Sequence, residues 1–184
     1  MDEKMLDRLN FREAMSRLTG AVTVVSTNGP AGLGGFTATA VCSITDDPPM
    51  LLACMNRNSR QHAVFNSNRV LCVNVLTAEQ EQISRVFASP AKVEERFQSG
   101  RWTVLETGAP ALENALVNFD GRIVQVIEAG THSIFLCQIV TLRIEPDDPT
   151  GLAYYGRKYH PIADKKRDEM PPHQPLVRPL NEFL

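Results

Sequence analysis

Two clusters of polar side chains interrupt a largely apolar stretch of this 184-residue chain, and their spacing suits ligand binding. The first is a row of hydroxyls in residues 35–43, GFTATAVCS. Alternate residues of an extended strand share a face. Thr37, Thr39, Val41 and Ser43 therefore fall on one side, and Phe36, Ala38, Ala40 and Cys42 on the other. The second cluster is Asn56-Arg57-Asn58-Ser59, which closes the apolar run of residues 50–55. Ser59 stands where it would cap a helix through Ala63, Val64 and Phe65, and the free amide groups at a helix start attract anions. A hydroxyl row and an anion-binding turn at the two ends of one motif fit a ligand with a polar ring system at one end and a phosphate at the other. The same residues have a plainer reading. Thr is a good strand former on the wet face of a sheet, and Asn and Ser are common in turns.

Other candidates are sparser. His132 follows Gly130-Thr131 and opens an apolar run, so its ring either projects into a cavity mouth or caps a strand end. Tyr155-Gly156-Arg157-Lys158-Tyr159-His160 gathers aromatics and cations around a glycine. That is a grip for a phosphate-bearing ligand or a solvated chain end. The four histidines are scattered, with no HExxH and no cysteine partners, so no metal site is expected. Asp46 and Asp47 are adjacent and point apart in an extended chain. No nucleophile elbow and no paired acid and base emerge. No catalytic side chain is assigned; if the protein is an enzyme, a cofactor carries the chemistry and the chain supplies orientation and exclusion of water.

The elements that must position these residues follow from pattern. Asn10-Phe11-Arg12-Glu13 has the form of a capping box, which predicts a helix ending at Gly20. Residues 21–27 read as a strand, and 28–35 as a glycine-rich connection that is neither a P-loop nor a dinucleotide fingerprint. Residues 35–45 read as one strand, ended by Asp46-Asp47-Pro48-Pro49. Residues 69–76 form a buried strand, and Thr77 with Gln80 caps a helix bearing Ile83, Val86 and Phe87. A further short helix is expected over 92–97, and a loop with one short strand over 101–112. Long strands follow over 116–128, with Gly121 as a bulge, and over 132–145. A last short strand covers 152–155. Successive strands joined by turns or short helices, without regular βαβ alternation, favour a mainly β fold: a closed antiparallel barrel with helical decoration.

Composition narrows the function classes. The formal net charge of −2 gives no footprint for nucleic acid or an acidic membrane surface. No apolar run approaches the roughly 18 residues of a membrane span, and the charged start MDEKMLDRLN lacks the apolar core of a signal peptide. A cytoplasmic protein is expected. Cys42, Cys54, Cys72 and Cys137 sit in strand-like runs without a CxxC pair, so they are expected as buried thiols without structural disulfides. A single domain over residues 1–162 is expected, followed by a charged, Pro-rich tail over 163–184.

With these stretches in view the chain resembles the short-chain flavin reductases of the FMN-binding split-barrel class. These are the small components of two-component flavin-dependent monooxygenases, such as the reductase partners of 4-hydroxyphenylacetate 3-monooxygenase and of the pyrimidine-degradation oxygenase. The residues that carry the resemblance are FREAM (11–15), AVTVVST (21–27), GFTATAVCSITDDPP (35–49), CMNRNS (54–59), LCVNVL (71–76), GTH (130–132) and KYHP (158–161). The resemblance implies a homodimer of Greek-key split barrels that uses NADH, or NADPH, to reduce FMN or FAD. Reduced flavin would then pass to a partner monooxygenase. It places flavin contacts on Thr37, Ala38, Thr39, Ala40, Val41, Cys42 and Ser43, on Asn56, Asn58 and Ser59 near the phosphate, and on Phe87 and Ala88. Nicotinamide-nucleotide contacts fall on His132, Tyr155, Gly156, Arg157 and Lys158, with His132 orienting the nicotinamide. The alternatives are a tightly bound prosthetic flavin serving another acceptor, a flavin-binding redox carrier or sensor without substantial NAD(P)H turnover, and an adaptor acting through its tail.

Overall fold

The computed structural model of the protein describes residues 7–146 and 150–163; the expected tail lies outside them from residue 164 onward. The first elements are α1 (Arg8–Met15), β1 (Gly20–Ala21), β2 (Thr23–Thr27), β3 (Gly34–Ala38), β4 (Val41–Asp46), β5 (Pro49–Asn56), α2 (His62–Asn68) and β6 (Val70–Val75). A 3₁₀ turn (Ala78–Gln80) leads into α3 (Glu81–Ala88), then α4 (Val93–Gln98), β7 (Trp102–Val104) and β8 (Pro110–Leu112). The chain continues with β9 (Val117–Ala129), β10 (His132–Ile144), β11 (Gly151–Tyr155) and β12 (Lys158–Ile162).

Seven strands form one antiparallel sheet in the order β3-β2-β6-β9-β10-β5-β4. Its two outermost strands, β3 and β4, are consecutive in the chain and joined only by Thr39 and Ala40. The expected continuous strand over 35–45 is therefore two strands. Alternation runs on through Thr39, but the chain changes partner there: β3 pairs with β2, β4 with β5, and the Cys54 amide donates to the Ala40 carbonyl at 2.9 Å. The sheet wraps a core of Val25, Leu51, Ala53, Met55, Phe65, Leu71, Val73 and Phe135. A second core lies on the other face of β2, where Val22, Val24, Leu76, Phe87, Leu112 and Leu152 pack beneath α3. Because β2 serves both, all five of its residues are buried. Its hydroxyls are satisfied by neighbouring carbonyls: Thr23 donates to Ala38 at 2.8 Å and Thr27 to Val70 at 2.7 Å.

Beside β2 lies a buried polar knot. Asn74, fully enclosed, donates through Nδ2 to the Val24 carbonyl at 2.8 Å. Its Oδ1 accepts from the Leu112 amide and from Asn118 Nδ2, both at 2.8 Å. Arg143 closes the knot, donating to Asn118 Oδ1 and to the Leu112 carbonyl, both at 2.9 Å. These bonds dock β8, which the sequence leaves as loop, onto β6 and β9.

Several local expectations are corrected. Asp7, not Asn10, caps α1: its Oδ1 accepts from the Leu9 amide at 3.2 Å, which leaves Asn10 inside the helix. Strand 21–27 is interrupted at Val22. Gly121 is not itself a bulge; the register shifts fall at Val124 and Val140, and Gly121 lies between them. A Cβ on Gly121 would stand 2.5 Å from the Gln138 carbonyl oxygen, so glycine permits the close approach of β9 and β10. β12 is a full strand, paired to β11 across a turn in which Gly156 and Arg157 both have positive φ. The capping box at Thr77 and Gln80 forms as expected.

Candidate functional site

Four parts of the chain converge on a cleft of about 410 Å³. Its floor is the end of β3 and the following link, Phe36, Thr37, Ala38, Thr39 and Ala40. One wall is the end of β5 and its turn: Cys54, Met55, Asn56 and Ser59. Opposite stand Phe87, Ala88 and Ser89 at the C-terminus of α3, with Arg96 from α4. His132, the first residue of β10, completes the rim. Gly35 lets the α3 wall close in, since a Cβ there would meet the Phe87 ring at 2.6 Å. Phe87 is held in turn by Phe97 and Trp102, with ring centroids 5.1 and 5.5 Å away.

The β5–β10 ladder explains why a turn and a distant histidine meet. His132 is paired directly with Asn56, although 76 positions separate them in sequence. The Arg57 amide donates to the Thr131 carbonyl at 3.0 Å, and the Arg57 guanidinium reaches Glu128 at 3.0 Å. Arg57 is thus engaged in fastening the turn to the β9–β10 hairpin. His132 Nδ1 lies 2.9 Å from Thr131 Oγ1, which leaves Nε2 for a ligand.

The polar groups of the cleft divide into engaged and available. Thr37 donates to the Ser84 carbonyl at 2.6 Å, so its hydroxyl ties β3 to α3. Thr39 lines the cleft and has no side-chain hydrogen bond among the described residues. Asn56 Oδ1 accepts from the Asn58 amide at 2.9 Å, which frees its Nδ2. Ser59 does not cap α2. Its Oγ accepts from the Gln61 amide at 3.3 Å, and the helix starts beyond it, with Gln61 in the cap position.

Arg96 is a cleft residue that no sequence pattern pointed to. Two of its terminal nitrogens donate to the Gly35 and Ser89 carbonyls, both at 2.7 Å, and its buried Nε has no partner. No carboxylate pairs with it among the described residues. Burial lowers its pKa from the ordinary guanidinium value, because the charged form loses hydration. A cation so placed, with donor capacity left over, makes that part of the cleft receptive to an anion. Nothing in EERF distinguishes Arg96 from the chain's other arginines; only the packing of α4 against β3 reveals it. Phe36, Cys54, Met55 and Ser89 join the cleft for the same tertiary reason.

The remaining candidates lie outside the cleft lining. Val41 packs against the barrel core, Cys42 and Ser43 are exposed on the edge strand β4, and Asn58 is exposed in the turn. Tyr155, Gly156, Arg157 and Lys158 make the β11–β12 turn. The Gly156 amide donates to the Ser16 carbonyl at 2.7 Å, and Arg157 pairs with Glu13 at 2.8 Å, so the turn is tied to α1. The flanking residues Tyr154 and Tyr159 instead line a second chamber of about 210 Å³, which shares Thr37, Ala38, Thr39 and Ala88 with the cleft and adds Val22.

All four cysteines are free thiols. Burial raises the pKa of Cys54, and burial, then the charge of Asp120, pushes Cys137 up to about 12. Among the described residues no group of side chains is disposed to hold a metal ion, and no helix is long and apolar enough to cross a membrane.

Comparison with known families decides the affiliation. The model of the flavin reductase like domain matches residues 15–163. The chain belongs to this family. Every residue that lines the cleft falls within the matched span. An FMN reductase (NADH), RutF, of Yersinia enterocolitica is 49% identical over 162 residues, covering 88% of each chain. The protein of that name from Escherichia coli is 48% identical over 158 residues, covering 86% of this chain and 96% of its own. Among solved structures, the Streptomyces globisporus NADH:FAD oxidoreductase SgcE6, in complex with NAD and FAD fragments, superposes with a TM-score of 0.79 at 28% identity, over 86% of this chain and 94% of that one. BorF, the flavin reductase component of a bacterial two-component tryptophan halogenase, gives 0.80 at 26% identity, over 86% and 100%.

Proposed function

We propose that the protein is an NADH-dependent flavin reductase that reduces FMN, or FAD, and supplies reduced flavin to a partner monooxygenase. The observation that carries this reading is the polarity of the cleft. Arg96, Ser59 and the Asn56 amide offer donors to an anion, and no carboxylate lines the cleft. The Thr37–Ala40 floor and the Phe87 wall offer a flat surface to a ring. This donor set fits a flavin mononucleotide, with phosphate toward Arg96 and ring over the β3–β4 link. Bound flavin supplies the chemistry, accepting a hydride from the nicotinamide of NADH.

The chain's own contribution is binding, orientation and exclusion of water. Phe87 and Ala88 cover one side of the proposed ring site. Val41, Cys42, Ser43 and Asn58 belong to its surroundings as neighbours of lining residues. His132, held through Nδ1 by Thr131, presents Nε2 to the nicotinamide or its ribose. The β11–β12 turn from Tyr155 to Lys158 is the proposed flank for the rest of the dinucleotide. NADH is favoured over NADPH, since the Arg157 charge is matched by Glu13. A homodimer and a cytoplasmic location are part of the same proposal. The edge strand β4, exposed from Cys42 to Asp46 with Ile44 among its residues, supports the former.

The test is NADH oxidation by flavin-free protein, with and without added FMN or FAD. Saturable oxidation that depends on added flavin is the expected result. Tight flavin binding with no oxidation of NADH or NADPH would overturn the enzyme reading in favour of a carrier or sensor.

A further inference from the structure

His62, the first residue of α2, is a half-buried polar side chain that the proposed function leaves unused. It does not line the cleft, yet it stands between two groups that do. The structure assigns it a positioning role: His62 holds the turn that offers donors to the flavin phosphate at a fixed place relative to His132. This inference rests on the flavin-reductase reading for the ligands it names.

The assignment follows from what one ring meets. Ser133 and Phe135 are alternate residues of β10, so both face the barrel interior, while the exposed His132 points the other way. Both inward residues are fully buried. The His62 imidazole lies nearly parallel to the Phe135 ring, with centroids 5.9 Å apart and planes at 25°. Its Nε2 meets Ser133 Oγ at 2.9 Å, and either atom can be the donor. Ser133 has no other side-chain hydrogen bond among the described residues, so an apolar residue at position 62 would leave its hydroxyl buried without a partner. Phe135 is stacked in turn on Phe65, and Phe65 meets the cleft residue Phe36 edge-on at 5.2 Å.

The turn between β5 and α2 is thereby fastened at both ends to one short stretch of the β9–β10 hairpin. At its start, Asn56 pairs with His132, and Arg57 reaches Thr131 and Glu128. At its end, the His62 amide donates to the Ser59 carbonyl at 3.0 Å, and the His62 ring reaches Ser133. Gln61 makes no side-chain capping bond at the head of α2, which leaves the His62 ring to anchor the helix start. Freeing that end leaves Ser59 tethered on one side only. The donors of the turn and Nε2 of His132 then lose their fixed separation, and the ligands lose orientation rather than a contact.

Three variants divide the contacts of the ring. His62→Phe keeps an aromatic ring on Phe135 and removes the bond to Ser133. His62→Gln keeps a polar tip for Ser133. Ser133→Ala removes the same bond from the other side with little loss of buried volume. Each is compared with wild type for dissociation constants of FMN and riboflavin, and for KM and kcat of NADH at saturating FMN, in the wild-type and the His132→Ala backgrounds. Loss of one hydrogen bond at this place predicts an effect of about tenfold. His62→Phe and Ser133→Ala each raise the KM for NADH by about that factor, weaken FMN more than riboflavin, and change kcat less than KM. His62→Gln stays near wild type. In the His132→Ala background neither variant raises the KM further, because the effect passes through His132. Equal effects in both backgrounds, an equal loss in His62→Gln, or ligand affinities that hold while only the Tm falls would make His62 a structural residue and overturn the assignment. The imidazole NMR signals of His132 give a readout that needs no turnover: they shift in His62→Phe and Ser133→Ala and hold in His62→Gln. If wild type oxidises no NADH, the reductase reading fails, and an unmoved His132 signal still overturns the positioning role.

Discussion

Asn74 and Arg96 sit in two polar regions that look alike in composition and differ in completeness. Around Asn74, amide and carbonyl groups of β2, β6, β8 and β9 answer one another, and Arg143 closes the set. Around Arg96, two carbonyls are answered, Nε is not, and Thr39 stands without a side-chain partner nearby. The first region is finished and belongs to the architecture. The second is unfinished and is the proposed ligand site. Among the described residues neither arginine is paired with a carboxylate, so charge alone does not separate scaffold from proposed site; the count of unanswered donors does.

Substitutions can break that contrast. Asn74→Ala is expected to have the largest effect, because it leaves the Leu112 amide and one of the two Asn118 Nδ2 protons buried without an acceptor. A loss of about 3 kcal/mol of stability in urea unfolding is expected, with flavin affinity unchanged in the fraction that remains folded. Weakened flavin binding at full stability would erase the distinction.

Arg96→Met is the converse test. Removing one charge-assisted donor weakens FMN by about ten- to a hundredfold, while the melting temperature moves less than in Asn74→Ala. Riboflavin, which lacks the phosphate, loses little. If riboflavin and FMN weaken alike, Arg96 supports the fold of the cleft rather than the anion.

The smallest effect sharpens the comparison within one strand. Thr37→Val breaks the tie to the Ser84 carbonyl and costs about 1 kcal/mol of stability. Thr39→Val leaves stability within about 0.5 kcal/mol and weakens flavin a few fold. The reverse pattern would mean that the two hydroxyls have been assigned the wrong way round.

Periodicity made most of the sheet legible. The VLCVNV strand, the Thr77–Gln80 cap and the β9–β10 hairpin are local patterns, and they stand where the sequence places them. Three kinds of feature were not readable. Alternation is blind to a change of partner, so it ran through Thr39 and Ala40 and treated three hydroxyls as one equivalent row. β12 carries Lys158, His160 and Pro161, residues that argue against a strand, and exists because β11 offers it a ladder. Arg96 lies on a six-residue helix with no sequence signature, and its meaning arises only from the carbonyls it meets. Of the candidate ligand residues, those that meet in the cleft come from strand ends and turns whose positions the ladder fixes. Those that fall away, such as Cys42 and Ser43, lie past the switch of partners.

The two-residue link between β3 and β4 has a consequence for how the barrel holds itself shut. Joining opposite edges of a seven-stranded sheet would ordinarily mean closing a long loop. Here the edges are neighbours in the chain, so the entropic cost of closure is that of a very short segment and hardly depends on the girth of the sheet. The price is a seam without a ladder of its own, running beneath the proposed ring site. A molecule lying across Thr37 to Ala40 would act as a rivet on that seam, and its affinity would reappear as the barrel's resistance to springing open.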